Sequence, residues 1–104
     1  MRENTVAVPA YVPTDGSVCT HVGEARDVVP STLDGCEDCL KIGGRWVHLR
    51  ECLACGHVGC CDNSPNKHAT AHWNGEGHAL IKSFEPGEMW AWCYADEVML
   101  LPAE

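Results

Sequence analysis

The stretch CLACGHVGCC, residues 52–61, holds four cysteines, and HATAHWNGEGH, residues 68–78, adds three histidines. Zinc prefers four ligands in a tetrahedron, drawn from cysteine, histidine and occasionally carboxylate. Cys52 and Cys55 suit one ion, because a two-residue gap lets a tight turn aim both thiolates at one point. Gly56 follows, where a chain leaving such a turn often needs a positive φ. This stretch predicts a fold organised around bound zinc.

Further donor pairs lie on both sides of this stretch. Asp96 takes the last place of a C-x-x-C spacing, and a carboxylate can still ligate zinc. With these, six pairs give the twelve ligands of three tetrahedral zinc ions. The pairs are Cys19 with His21, Cys36 with Cys39, Cys52 with Cys55, Cys60 or Cys61 with His68, His72 with His78, and Cys93 with Asp96.

Spacing alone leaves several alternatives open. His68 and His72 lie on the same face of a helix, so they either share one ion or serve two neighbouring sites. Cys19 and His21 could form a loop pair without metal, with Asp96 as a solvated charge. The two remaining histidines, 48 and 57, fall outside the pairing and are interpreted as surface or hydrogen-bonding residues.

The chain has 104 residues, enough for one domain, and 45% hydrophobic content indicates a globular fold. Such a domain buries a modest core, so metal is expected to supply part of its stability. The N-terminus has no apolar run typical of a signal peptide, so we expect a soluble, cytoplasmic protein with reduced thiols. A disulfide framework is the alternative, but it requires a secreted protein and leaves the histidines unexplained.

Seven basic and fifteen acidic residues give a formal charge of −8. A nucleic-acid surface needs clustered positive charge, so this composition excludes nucleic acid as the expected partner. No segment approaches the roughly 20 apolar residues of a membrane span. The expected partners are proteins or peptides, including chain termini, and acidic partners are disfavoured.

The sequence predicts a small α+β domain with a helix beside a short antiparallel sheet. Residues 1–18 are interpreted as an extended N-terminal arm, because prolines and a glycine interrupt any helix, and residues 19–104 as the folded domain. The alternation in residues 44–52 predicts a half-buried strand. A helix is expected from Ser64 as N-cap and Pro65 at its first position, ending at the glycines of NGEG.

Two strand-like runs follow, residues 78–84 and residues 89–100. Pro86 and Gly87 between them fit the central positions of a type II turn, so a β-hairpin is predicted. Aromatic and small side chains alternate on the second run, which puts Trp90, Trp92 and Tyr94 on one face and Ala91, Cys93 and Ala95 on the other.

The order and spacing of these residues resemble the UBP-type zinc finger, the ubiquitin-binding module of ubiquitin-specific proteases and of one histone-deacetylase subfamily. The resemblance covers residues 19–98. It implies three zinc ions in interleaved sites, with the two helix histidines serving different ions and Cys61 spare. The implied ligands are Cys36, Cys39, Cys60 and His68 for site 1, Cys52, Cys55, His72 and His78 for site 2, and Cys19, His21, Cys93 and Asp96 for site 3.

The resemblance also implies a pocket that takes the free C-terminal Gly-Gly of ubiquitin. Trp46, Trp92 and Tyr94 would be its aromatic walls, and Asp62 stands where the family has an arginine that grips the carboxylate. Two like charges about 4 Å apart repel by roughly 4 kcal/mol at an intermediate dielectric, so Asp62 disfavours the ubiquitin tail. Arg45, Arg50 and Lys67 are the cations that could replace the missing arginine.

The expected function is therefore a zinc-binding protein- or peptide-interaction module, not an enzyme. The aromatic residues could instead be ordinary packing between strand and helix. The alternative function is a zinc hydrolase with an open site at Cys19, His21 and Cys93, should Asp96 swing away and admit water. No H-E-x-x-H motif is present, because Glu76 falls outside that spacing.

Overall fold

The computed structural model describes residues 10–103. They form one six-stranded sheet in which all neighbouring strands are antiparallel. The predicted α+β architecture is confirmed. Among the described residues, no helix is long and apolar enough to cross a bilayer. In chain order the elements are β1 (Tyr11–Pro13), a 3₁₀ helix (Val22–Glu24), α1 (Glu37–Ile42), β2 (Leu49–Cys52), β3 (Val58–Cys60), α2 (His68–Glu76), β4 (Leu80–Ser83), β5 (Ala91–Cys93) and β6 (Val98–Pro102). Across the sheet the strand order is β1-β6-β5-β4-β2-β3.

The interior is divided between aliphatic side chains and cysteines. An apolar cluster that includes Leu53, Leu80 and Leu100 packs on one face of β4, β5 and β6. A second cluster consists of Cys36, Cys39 and Cys60, with Trp46 and Leu49 packed against it. Five of the ten largest fully buried side chains are cysteines. Donors for metal therefore occupy interior positions that larger domains fill with aliphatic residues.

The predicted β-hairpin is confirmed. Strands β4 and β5 pair with Leu80 opposite Cys93. The Glu88 N–H donates to the Glu85 carbonyl (3.2 Å), which closes the turn between the strands. Gly87 has a φ of 82°, the left-handed value that the third position of a type II turn requires.

Residues 89–100, predicted as one strand, are instead the two strands β5 and β6 joined by a turn. The Glu97 N–H donates to the Cys93 carbonyl (2.8 Å), and Glu97 takes a φ of 55°. The Asp96 N–H donates to Cys93 Sγ (3.4 Å). The prediction was wrong because alternation shows which residues share a face but not where the chain reverses, and the reversal brings the Asp96 carboxylate back toward Cys93.

Two predicted element starts are also wrong. Strand β2 begins at Leu49 rather than residue 44, because the Val47 N–H donates to Ser64 Oγ (2.8 Å) instead of joining a strand ladder. Helix α2 begins at His68, after Lys67 with a φ of 50°. Ser64 is therefore an acceptor for the segment before β2 and not a helix cap.

Two glycines take positive φ values, one at the end of α2 and the other in the turn between β2 and β3. Gly77 ends α2 as predicted, with a φ of 76° and an N–H donated to the Trp73 carbonyl (2.9 Å), while Gly75 lies inside the helix. Gly56 has the predicted positive φ, 86°. A Cβ at position 56 would collide with the Val29 carbonyl oxygen, so this position also requires the absence of a side chain.

Part of the predicted arm joins the sheet. Residues 1–9 lie outside the described residues, but Tyr11–Pro13 forms strand β1, with Tyr11 opposite Pro102 of β6. Tyr11 is buried in the apolar cluster. The segment that follows carries Cys19 and His21 to the turn between β5 and β6.

Candidate metal centres and the aromatic cavity

Site 1 forms where the start of α1, strand β3 and the start of α2 meet. Cys36 is the N-cap of α1, and its Sγ accepts the Cys39 N–H (3.4 Å). His68 Nδ1 lies 3.3 Å from Sγ of both residues and 3.6 Å from Cys60 Sγ. The His68 backbone N–H also donates to Cys60 Sγ (3.2 Å). The backbone N–H and the imidazole ring of His68 thus both hold the start of α2 against β3.

Site 2 lies between the turn after β2 and the far end of α2. Cys55 Sγ is 3.3 Å from His72 Nε2, and Cys52 Sγ is 3.5 Å from His78 Nδ1. The two imidazole nitrogens are 3.2 Å apart. His68 and His72, one turn apart on α2, therefore belong to different sites.

The donors of sites 1 and 2 fit zinc. Bonds of about 2.0–2.3 Å in a tetrahedron place neighbouring donor atoms roughly 3.3–3.8 Å apart, close to the distances found here. Burial raises the pKa of the Cys36 thiol to about 12 and that of Cys52 to about 11. These thiols therefore need a cation to become thiolates at neutral pH. Burial, followed by the charges of His57 and His78, lowers the pKa of His72, which favours the neutral imidazole that binds zinc.

Site 3 joins the N-terminal segment to the turn between β5 and β6. Asp96 Oδ2 lies 3.1 Å from His21 Nδ1 and 3.7 Å from Cys93 Sγ, and Cys19 completes a set whose donor atoms all lie within 4.8 Å of one another. The Thr20 N–H donates to Asp96 Oδ2 (2.8 Å). This bond, followed by that of His21, lowers the pKa of Asp96 to about 2. The carboxylate is ionised at neutral pH and suited to bind a cation.

The structure thus brings together the three sets that the resemblance implies. Cys61 and His48 remain outside them. His57 also remains outside and takes the hydrogen-bonding role, one of the two predicted for it: its Nε2 lies 2.7 Å from Asp38 Oδ2, and its side chain is only 14% exposed. Asp38 was not predicted from the sequence, where the available signal was its place inside the pair CEDC.

An aromatic cavity of about 230 Å³ lies beside β5 on the sheet face opposite the apolar cluster. Asp62 at its wall accepts the Thr70 hydroxyl (2.6 Å), and that hydroxyl lies 3.2 Å from Tyr94 Oη. Burial raises the pKa of Tyr94, which stays protonated at neutral pH. The cavity combines aromatic walls with polar groups, and its lining includes Arg50, Asp62, Trp90, Trp92, Tyr94 and Met99.

Of the three cations considered for the missing arginine, only Arg50 lines the aromatic cavity; Arg45 and Lys67 do not. The Arg50 guanidinium lies over the Trp90 ring, with Cζ 4.5 Å from the ring centroid, and donates to the Leu49 carbonyl (2.9 Å). These two contacts fix its position at the cavity wall.

The predicted aromatic walls are only partly found together. Trp46 packs against the cysteines of site 1 and does not line the aromatic cavity. Trp90 lines the cavity instead. This agrees with the predicted alternation, which put Trp90 on the same face as Trp92 and Tyr94. The other predicted pocket residues line the cavity, namely Asp62, Trp92 and Tyr94.

The chain is similar to a known protein family and to a solved structure. The family model of a zinc finger in ubiquitin hydrolases and other proteins matches residues 36–103, which include every donor of sites 1 and 2, whereas Cys19 and His21 precede the match. The solution NMR structure of protein RPA1320 from Rhodopseudomonas palustris is 59% identical to this chain, with a TM-score of 0.74 and coverage of 82% of each chain.

Proposed function

The chain belongs to the family of zinc fingers in ubiquitin hydrolases and other proteins, and we propose that it is a protein-interaction module whose aromatic cavity binds a peptide segment of a partner. The observation that carries the proposal is the cavity of about 230 Å³ between aromatic rings and two oppositely charged residues. Aromatic walls with a few fixed polar groups are typical of binding sites. The module would act in the cytoplasm, where its thiols stay reduced.

The charges at the cavity wall should make the cavity prefer some peptides over others. Asp62 is exposed, and its Oδ1 is hydrogen-bonded to Thr70. A free carboxylate about 4 Å from Asp62 would be repelled by roughly 4 kcal/mol at an intermediate dielectric. Arg50 supplies the opposite charge, but it is held over Trp90. We therefore expect the ligand to be neutral or basic where it meets Asp62, unlike the free ubiquitin tail.

The test is a titration with two matched peptides, followed by the indole N–H signals of Trp90 and Trp92 in NMR spectra. One peptide ends in Gly-Gly with a free carboxylate; the other is amidated and carries a lysine. We expect the second to shift both signals in a saturable way. The first should not saturate either signal at peptide concentrations up to about 1 mM, so its binding free energy should be weaker than about −4 kcal/mol. Micromolar binding of the free acid would contradict the role of Asp62.

Three variants make the titration specific. Trp92→Ala removes a cavity wall and should abolish the shift of the remaining Trp90 signal, whereas Phe84→Ala changes an aromatic residue outside the cavity and should leave both shifts unchanged. Asp62→Arg should reverse the preference and create binding of the free acid. If neither peptide perturbs the wild-type signals, the proposed cavity function is wrong.

No observation favours the alternative zinc hydrolase. A catalytic zinc keeps one position open for water or substrate. In site 3 the Asp96 carboxylate already lies beside His21 and Cys93, with Cys19 as the fourth donor. We expect zinc-loaded protein to show no hydrolase activity.

A further inference from the structure

A carboxylate–imidazole pair bridges the turns that present the cysteines of sites 1 and 2. Asp38 lies inside the first C-x-x-C pair, and His57 lies two positions after Cys55. His57 Nε2 is 2.7 Å from Asp38 Oδ2. The His57 carbonyl accepts the Cys52 N–H (2.8 Å), so the main chain of His57 is part of the site 2 turn. The pair therefore joins one metal-binding turn to the other.

The ring of His57 also contacts a donor of site 2. It stacks on the His72 ring with the centroids 4.2 Å apart and the planes 6° apart. His72 Nε2 in turn faces Cys55 Sγ at 3.3 Å. A continuous series of contacts thus runs from Asp38 through His57 to His72.

We propose that Asp38 and His57 are positioning residues that couple the two sites, so that losing metal from one weakens metal binding at the other. Metal at site 1 holds the turn that carries Asp38, and Asp38 orients the ring against which His72 rests. Residues outside the coordination shell that orient metal ligands typically change metal affinity 10–100-fold when they are replaced, and the His57 ring contacts a ligand through its stacking on His72. The helix α2, which carries donors of both sites, gives a second route between them. The pair is the route that can be removed without changing a donor.

The experiment is native mass spectrometry of the zinc-loaded protein during titration with a chelator under reducing conditions. In the wild type we expect site 3 to empty first and the other two ions to leave together, so that the one-ion species is scarce. His57→Phe keeps a ring for stacking but loses the hydrogen bond, and Asp38→Ala removes the other partner. Each should make the one-ion species prominent and weaken binding of the more labile of the two ions about tenfold.

Two comparisons separate coupling from general destabilisation. The double variant should match either single variant, because both act through one hydrogen bond. His48→Phe changes an exposed histidine that lies beside Glu85 (3.6 Å) and should leave the distribution as in the wild type. A scarce one-ion species in both single variants, or an equal change in His48→Phe, would overturn the proposal.

Discussion

Site 1 and site 3 use related donors but differ in how many of those donors are exposed to solvent. The three sulfurs of site 1 are fully buried and form a cluster of their own with Trp46 and Leu49. In site 3 Cys19 and Cys93 are buried as well, but the side chains of the other two donors, His21 and Asp96, are 29% and 26% exposed. Site 1 therefore takes the place of a hydrophobic core, whereas site 3 fastens the N-terminal segment to a finished sheet. Losing the metal of site 1 should unfold the chain, whereas losing the metal of site 3 should only loosen the N-terminal segment.

The largest expected effect is that of Cys60→Ser, which removes a donor that also anchors the start of α2. Structural zinc contributes about 10–16 kcal/mol, comparable to or larger than the 5–15 kcal/mol by which most domains are stable. We expect amide signals to collapse to the dispersion of an unfolded chain in NMR spectra. Cys61→Ser, at the next position but outside the donor sets, should remain folded. A folded Cys60→Ser variant without metal at site 1 would contradict the comparison.

Gly56→Ala tests whether the turn that carries the site 2 cysteines is packed tightly against the rest of the chain, as the site 1 cysteines are. The added Cβ would collide with the Val29 carbonyl oxygen at a residue with a φ of 86°. We expect the free energy of unfolding to fall by about 2–4 kcal/mol, measured by denaturant unfolding with zinc in excess. Gly77→Ala, with a φ of 76° and open space around it, should cost about 1 kcal/mol. An equal loss of stability in the two variants would show that the close approach of the Val29 carbonyl does not restrict position 56.

Asp96→Ala should reduce the zinc count from three to two in native mass spectra while the amide spectrum stays dispersed. The reason is that Asp96 gives site 3 its carboxylate donor, and both Asp96 and His21 of that site are partly exposed. Asp96→Cys should keep three ions and hold the third more tightly, because thiolate is the preferred zinc ligand. A count of two zinc ions in both the wild type and Asp96→Ala would show that Asp96 does not bind the metal.

The smallest effect expected is that of Thr20→Val, which removes the hydroxyl that donates to Asp96 Oδ2 (3.2 Å) but keeps the backbone donor. An exposed hydrogen bond contributes about 0.5 kcal/mol, so release of the third ion to a chelator should become roughly twofold easier. Release from sites 1 and 2 should not change, since Thr20 contacts neither. A change at those sites would show that site 3 is not separate from them.

Features governed by neighbouring residues could be predicted from the sequence. The turn at Pro86 and Gly87 and the positive φ of Gly56 follow from local backbone chemistry, and the structure has both. Grouping the donors was different, because spacing left open whether His68 and His72 share an ion. The answer depends on which strand faces each turn of α2, and local sequence does not contain that information.

Features governed by distant partners were missed for the same reason. The start of β2 depends on Val47 donating to Ser64, and Trp46 covers the site 1 cysteines instead of lining the aromatic cavity. The contact between Asp38 and His57 joins two turns that each look complete in sequence. In each case a polar or aromatic group finds a partner that only the folded chain brings close.

The central claim is that metal held by buried thiolates and imidazoles makes this chain compact, and chelation tests it most directly. Purified protein is treated with excess chelator and a reductant, and its amide dispersion is followed by NMR before and after zinc is returned. We predict that dispersion is lost on chelation and recovered with zinc. A spectrum that stays dispersed after all metal is removed, or disulfide bonds among these cysteines in the purified protein, would contradict the claim.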